Sequence, residues 1–227
     1  MSEDTTQREV DPSSDRAALG ALAHRMNNAL AYVVTNLDLL AEELGALDLP
    51  EQDRARLLQI VHGATQGAER TSDLVRELRV LSWGRQRPAD APADEDDDTW
   101  DTGNSARILV IDDEPQILAA VARALGAYEV IQAPSGAEAR RILAENTRFD
   151  LVLCDVMMRD VDGIEIYRWV VTRRPELVAR LVFMTAGAFT PDIRRFLASV
   201  PNTVLHKPFD TKTLRWVVAQ KLKGNAR

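Results

Sequence analysis

A single cysteine, Cys154, stands in the 227 residues. No internal disulfide framework and no multi-cysteine zinc site can form from it. Its neighbours, LVLCD, read as a buried strand, where an apolar setting suppresses the reactive thiolate. Basic charge is also short. Against 35 Asp and Glu there are 28 Lys and Arg, a net charge of -7, and the pI is about 5.1. That balance argues against generic nucleic-acid binding. No apolar run approaches the roughly 18–20 residues of a membrane span, and the opening MSEDTTQREVDPSSD is too polar for a signal peptide. These absences predict a cytoplasmic protein that engages neither nucleic acid nor membrane. The three histidines have no spacing for zinc, and His62 and His206 read as surface or structural residues.

The chain is long enough for two small domains and a joint. Residues 1–14 are expected to be disordered, and residues 15–84 read as a helical hairpin. On its first helix Leu19, Leu22, Met26, Leu30, Val33, Leu37, Leu40, Leu44 and Leu47 recur at steps of three and four, a heptad-like seam. DLPEQD interrupts the pattern, with Pro50 in first-turn position for a second helix. That helix repeats the seam through Leu57, Val61, Ala64, Ala68, Thr71, Val75 and Leu78. One hairpin buries too little apolar surface alone, so two are predicted to pair as a dimeric four-helix bundle, making the protein a homodimer. The carboxylate-rich stretch 85–105 is read as a solvated, self-repelling flexible linker, and Trp100 within it as a local packing residue, with a docking anchor as the alternative.

Across 106–224, five short β-branched runs alternate with five helical segments. ARILVIDD, YEVIQA, FDLVLCD, ARLVFMTA and NTVLHKP are the runs. They predict a multidomain chain whose second part is a doubly wound α/β domain with five parallel strands. Function in such a sheet sits beyond the C-terminal strand ends. There the sequence places Asp112 and Asp113, then Asp155, Thr185 and Lys207. Three converging carboxylates repel unless a hard divalent cation with oxygen ligands relieves them, and Mg2+ suits a shallow, partly hydrated site. Thr185 and Lys207 would then hold oxygens of a transferring phosphoryl group, with Asp155 its nucleophilic acceptor.

ILVIDDEP, LVLCDVMMRDVDG, MTAG and LHKPF together resemble the signature blocks of a response-regulator receiver domain, which is flavodoxin-like in fold. The resemblance implies that Asp155 accepts a phosphoryl group from a phosphohistidine. The partner would be a sensor histidine kinase or a phosphotransfer protein. It further implies that Asp113, Asp155 and the backbone carbonyl of Met157 ligate the metal directly. Asp112 would act through water, and the Lys207–Pro208 bond would often be cis. Two positions depart from the pattern. Arg159 replaces a usual proline, which reads as a change in loop stiffness. Val204 replaces the aromatic residue that swings inward on phosphorylation, so the usual threonine–aromatic switch is not expected.

His24 lies opposite Leu22 and Met26 on its helix, sharing a side with Gly20, Asn28, Ala31 and Thr35. An imidazole among small residues is what a docking receiver requires. LAHRMNNAL, with the return helix GAERTSDLVRELRVLS, resembles the dimerisation and histidine-phosphotransfer hairpin of hybrid sensor kinases. This implies phosphorylation at His24. The family places a carboxylate directly after the histidine, whereas this chain has Arg25, a permanent cation unable to act as a base. No ATP-binding domain follows the hairpin, so autophosphorylation from ATP is not expected. Arg25 is instead a candidate phosphoryl ligand, and Asn28 a candidate for positioning a water against phosphoaspartate. The competing reading is a non-enzymatic dimeric response regulator, a scaffold or phosphate sink, whose hairpin only dimerises.

Overall fold

Two long helices, α1 (Pro12–Ala46) and α2 (Glu51–Trp83), run antiparallel and pack against each other. The computed structural model describes residues 12–83, 106–145, 148–186 and 190–225. Residues 1–11 and the predicted linker 85–105, with Trp100, lie outside the described residues. α1 begins at Pro12, three residues before the expected hairpin boundary. Pro50 precedes α2 rather than opening it, because its carbonyl accepts from the amides of Asp53 and Arg54 at 3.0 Å each. The Arg54 guanidinium donates to the carbonyls of Leu47 and Leu49, both at 3.2 Å, which closes the connection. Glu51 and Asp53 place negative charge in the first turn of α2, where the helix dipole favours it.

The apolar seam read from the sequence is only partly buried within this chain. Leu19, Leu22, Met26, Val33, Leu40 and Leu47 are all exposed, Leu19 at 51% and Leu47 at 52%. The buried face of α1 carries Asn27, Asn28, Ala31, Val34, Thr35 and Leu39, together with Leu44 of the seam. On α2, Val61, Ala68 and Val75, spaced by seven, are buried. Leu57 is exposed, and so are Ala64 and Thr71. The reason is tertiary: much of the inner face of α1 is covered by the second domain.

That domain is a five-stranded parallel sheet in the order β2-β1-β3-β4-β5. Its strands are β1 (Arg107–Ile111), β2 (Glu129–Ala133), β3 (Leu151–Asp155), β4 (Leu181–Thr185) and β5 (Val204–His206). The helices are α3 (Pro115–Ala124), α4 (Gly136–Ala144), α5 (Gly163–Arg173), α6 (Pro191–Ser199) and α7 (Thr211–Asn225). Successive strand residues point to opposite faces. Ile108, Val110, Leu151 and Leu153 pack beneath Leu118, Val121, Leu214 and Val218 of α3 and α7. Leu109, Ile111, Val152 and Cys154 pack on the opposite face, against Ile142, Leu143, Ile166 and Val170 of α4 and α5. Burial on both faces explains the near-continuous apolar strands.

Ala31 and Tyr32 of α1 join the α3/α7 cluster. A row of polar contacts then fastens α1 to the domain along several turns. Asn27 Nδ2 donates to the Ala186 carbonyl (2.8 Å) and Asn28 Nδ2 to Glu114 Oε1 (2.7 Å). Further along, the Thr211 amide donates to Asp38 Oδ2 (3.0 Å). Arg215 grips both carboxylate oxygens of Glu42, at 2.6 and 3.1 Å.

Candidate active site

The C-terminal ends of the adjacent strands β1 and β3 bring three carboxylates together. Oxygens of Asp112, Asp113 and Asp155 lie within 4.8 Å of one another. Asp155 ends β3 and is fully buried, and the chain turns sharply beneath it. A Cβ on Gly163 would meet the Asp155 carbonyl at 2.5 Å and Val156 Cα at 2.8 Å. Only glycine permits α5 to start this close behind the acid. Thr185, also fully buried, ends β4 beside β3. Lys207 follows β5, and its amide donates to the Thr185 carbonyl at 2.7 Å. The Lys207–Pro208 peptide is cis, as the resemblance implied.

Lys207 organises the buried charges. Its Nζ donates to Asp112 Oδ2 at 2.6 Å and lies 3.3 Å from Asp155 Oδ2. Burial by itself would lower the lysine pKa, but Asp155 and Asp112 outweigh it and the ammonium is held charged. Asp112 has a second donor, the Glu114 amide, at 3.0 Å. Asp155 is less well served. Its contact with Lys207, at 3.3 Å, is longer than that of Asp112. Burial pushes its pKa up to about 7, against the lowering pull of Lys207 and with the raising push of Asp112.

Asp113 is engaged from outside. Arg159 Nε donates to its Oδ2 at 2.7 Å, the Arg159 amide to the same oxygen at 3.3 Å, and Nη2 to its carbonyl at 3.2 Å. The expectation that Arg159 merely alters loop stiffness is therefore corrected, since its guanidinium binds a carboxylate of the cluster. Cys154 is fully buried, and burial, followed by Asp155, drives its thiol pKa well up. It is an inert core residue.

His24 reaches this site from α1. Its pKa falls to about 4, first through burial and then through the nearby Lys207 charge, while Asp112, Asp113 and the Met157 backbone act the other way. Asn28, fully buried, places Nδ2 at 3.1 Å from His24 Nε2. The structure thus brings His24 and Asn28 to the strand-end residues. Arg25 is exposed, and among the described residues the bonds joining α1 to the domain come from other side chains. His62 is exposed and faces Gln66 one turn away.

Two participants escaped the sequence reading and a third was given another role. Asn27 ties α1 to the residue after Thr185, Arg159 binds Asp113, and Glu114 holds Asn28. Glu114 had left one trace: it occupies the N-cap of α3, where Ser, Thr, Asp or Asn is the favoured residue.

Residues 108–219 match the family described as the response regulator receiver domain. The transcriptional regulatory protein ZraR of Klebsiella oxytoca is 34% identical over 124 residues, 53% of this chain and 27% of that protein. The sensor kinase CckA of Brucella abortus is 31% identical over 126 residues, 54% of this chain and 13% of that one. The chain therefore spans about a quarter or less of the length of these curated relatives. Among solved structures, the chemotaxis protein CheY4 of Vibrio cholerae is 28% identical, with a TM-score of 0.46, covering 52% of this chain and 98% of that one. The flavodoxin-like sheet and the family match agree: residues 108–219 are a response regulator receiver domain.

Proposed function

We propose that this chain is a two-component phosphorelay protein that accepts a phosphoryl group from phosphohistidine onto Asp155 and exchanges it with His24. The observation that carries the reading is the docking of α1 on the receiver, with His24 among the charges of Lys207, Asp112 and Asp113. Neither a scaffold hairpin nor a phosphate sink requires a histidine at that place.

The residues also suit a divalent cation. Oxygens of three carboxylates sit within 4.8 Å of one another, with the Lys207 ammonium 3.3 Å from Asp155 Oδ2. That is a cluster of carboxylate oxygens of the kind hard cations occupy. Asp113, Asp155 and the Met157 carbonyl would hold Mg2+, with Asp112 acting through water. When bound, the ion would neutralise charge on the phosphoryl oxygens.

The chain's own groups divide the remaining work. An Asp155 oxygen attacks phosphorus as the donor's P–N bond breaks, forming an acyl phosphate. Thr185 and Lys207 would take up the phosphoryl oxygens. In the onward step the His24 lone pair attacks phosphorus, and the P–O bond to Asp155 breaks to release the carboxylate. A depressed pKa keeps His24 neutral at physiological pH and its lone pair available.

The partner would be a sensor histidine kinase or phosphotransfer protein, in the cytoplasm. Among the described residues no helix is long and apolar enough to cross a membrane. The exposed row Leu19, Met26, Val33, Leu40 and Leu47 has the seven-residue spacing of a coiled-coil seam. It supports a homodimer built on a four-helix bundle.

Phosphate mapping tests the reading. The full chain and Asp155→Ala are each incubated with acetyl phosphate and Mg2+, and the labelled residues are identified. Phosphate on Asp155 and on His24, both lost in the variant, is expected. Phosphate on Asp155 alone would reduce the protein to a dimeric receiver with a scaffold hairpin.

A further inference from the structure

We infer that Glu114 of the receiver is a positioning residue for His24, acting through Asn28 across the domain boundary. The inference rests on the reading that His24 exchanges a phosphoryl group.

The helix that carries His24 offers the ring no carboxylate. Arg25 follows it, and the residues one turn either side are Gly20, Ala21, Asn27 and Asn28. A carboxylate arrives instead from the receiver. Glu114 is the N-cap of α3, yet its side chain makes no cap hydrogen bond. It turns outward, and Oε1 accepts from Asn28 Nδ2 at 2.7 Å.

This contact fixes more than the interface. A carboxylate can only accept, so it dictates which end of the Asn28 amide faces Glu114. The same nitrogen lies 3.1 Å from His24 Nε2, and its second hydrogen serves that contact. His24 Nε2 must then be the acceptor, which leaves the ring proton on Nδ1. Asn28 is fully buried and its Oδ1 has no partner, so the side chain is held by its donor end alone. The chain Glu114–Asn28–His24 therefore selects one tautomer and aims the lone pair of Nε2. Asn28 must release Nε2 as the phosphoryl group arrives. The histidine of the hairpin is correctly set only while the receiver of its own chain is docked on it.

A docking contact without this role would not set the tautomer, and the test uses that difference. Long-range 1H–15N correlation spectra of the full chain, labelled at histidine, read the protonated nitrogen at neutral pH. His24→Gln assigns the signal. Wild type is expected to show the Nδ1–H form alone, and Glu114→Ala to lose that single form. Glu114→Gln should keep it, because a carboxamide oxygen accepts the same hydrogen. Single-turnover transfer from preloaded Asp155 to His24 should fall about tenfold or more in Glu114→Ala and recover in Glu114→Gln. An unchanged tautomer in Glu114→Ala, or equal loss in both variants, overturns the assignment. Absence of phosphate on His24 in wild type would instead overturn the exchange reading, and the tautomer comparison would still decide the part played by Glu114.

Discussion

Arg159 Nε and Asp113 Oδ2 are 2.7 Å apart, so the carboxylate proposed to bind metal is already held by a guanidinium. A metal ion entering the cluster must compete with that cation. Asp113 also accepts from the Arg159 amide, and this second contact would survive loss of the side chain.

Replacing Arg159 with alanine should therefore tighten Mg2+ binding. The pair is exposed on the arginine side, so the gain is modest, about twofold to fivefold at low ionic strength. Isothermal titration of Mg2+ into the unphosphorylated protein measures it. The difference should shrink as salt rises, because screening weakens the competing pair. Equal affinities at every salt concentration would remove Arg159 from the metal's surroundings.

The two perturbed groups in the site oppose each other as pH changes. His24 falls to about 4 when folded, below its unfolded value of about 6.5. Between these values the unfolded chain binds more protons. The His24 contribution is therefore complete above about pH 6.5 and lost as pH falls through about 4. Asp155 rises to about 7, above an unfolded value of about 3.9. Its contribution is complete below that unfolded value and lost as pH rises through about 7. The opposing slopes mask each other in wild type. Denaturant unfolding of wild type and His24→Gln from about pH 4 to about pH 7 separates them. The stability advantage of the glutamine variant should grow as pH falls, and a pH-independent difference would refute a depressed His24 pKa.

The exposed seam on α1 predicts association. Wild type should sediment as a dimer at micromolar concentration, and Val33→Glu with Leu40→Glu should make it monomeric. Each substitution places a charge where the partner helix would bury a side chain, and each unpaired buried charge is strongly unfavourable. The receiver should stay folded, because both residues point away from it and are exposed at 42% each. A wild-type monomer at those concentrations would leave the apolar row without its proposed partner.

The receiver was legible because its chemistry is local to strand ends. Short apolar runs announce the sheet, and the residues that follow them are bound to meet at one edge of it. Asp112, Asp113, Asp155, Thr185 and Lys207 were found in this way. Arg159 was misread, because a loop arginine carries no signal of which carboxylate it will reach. The α1 seam was read correctly as a periodic apolar stripe. How much of the stripe a single chain covers was not legible, since periodicity identifies a stripe and not what packs on it; Leu44, Val61, Ala68 and Val75 are buried within the chain, whereas Leu19, Val33 and Leu40 are exposed. On the small-residue side, Asn28, Ala31 and Thr35 are where the receiver packs.

By itself, then, the sequence determined the elements, their order and the cluster of acids. Local pattern and the short reach of each βα unit leave little else for those residues to form. Tertiary structure alone decided that His24 meets those acids, and that Glu114 reaches Asn28 to orient it. Eighty-six residues separate Glu114 from Asn28, and the stretch between them includes the joint connecting the two domains. No sequence pattern spans such a joint. Only the packing of Ala31 against the α3/α7 face and the polar row from Asn27 to Glu42 set the two halves in register.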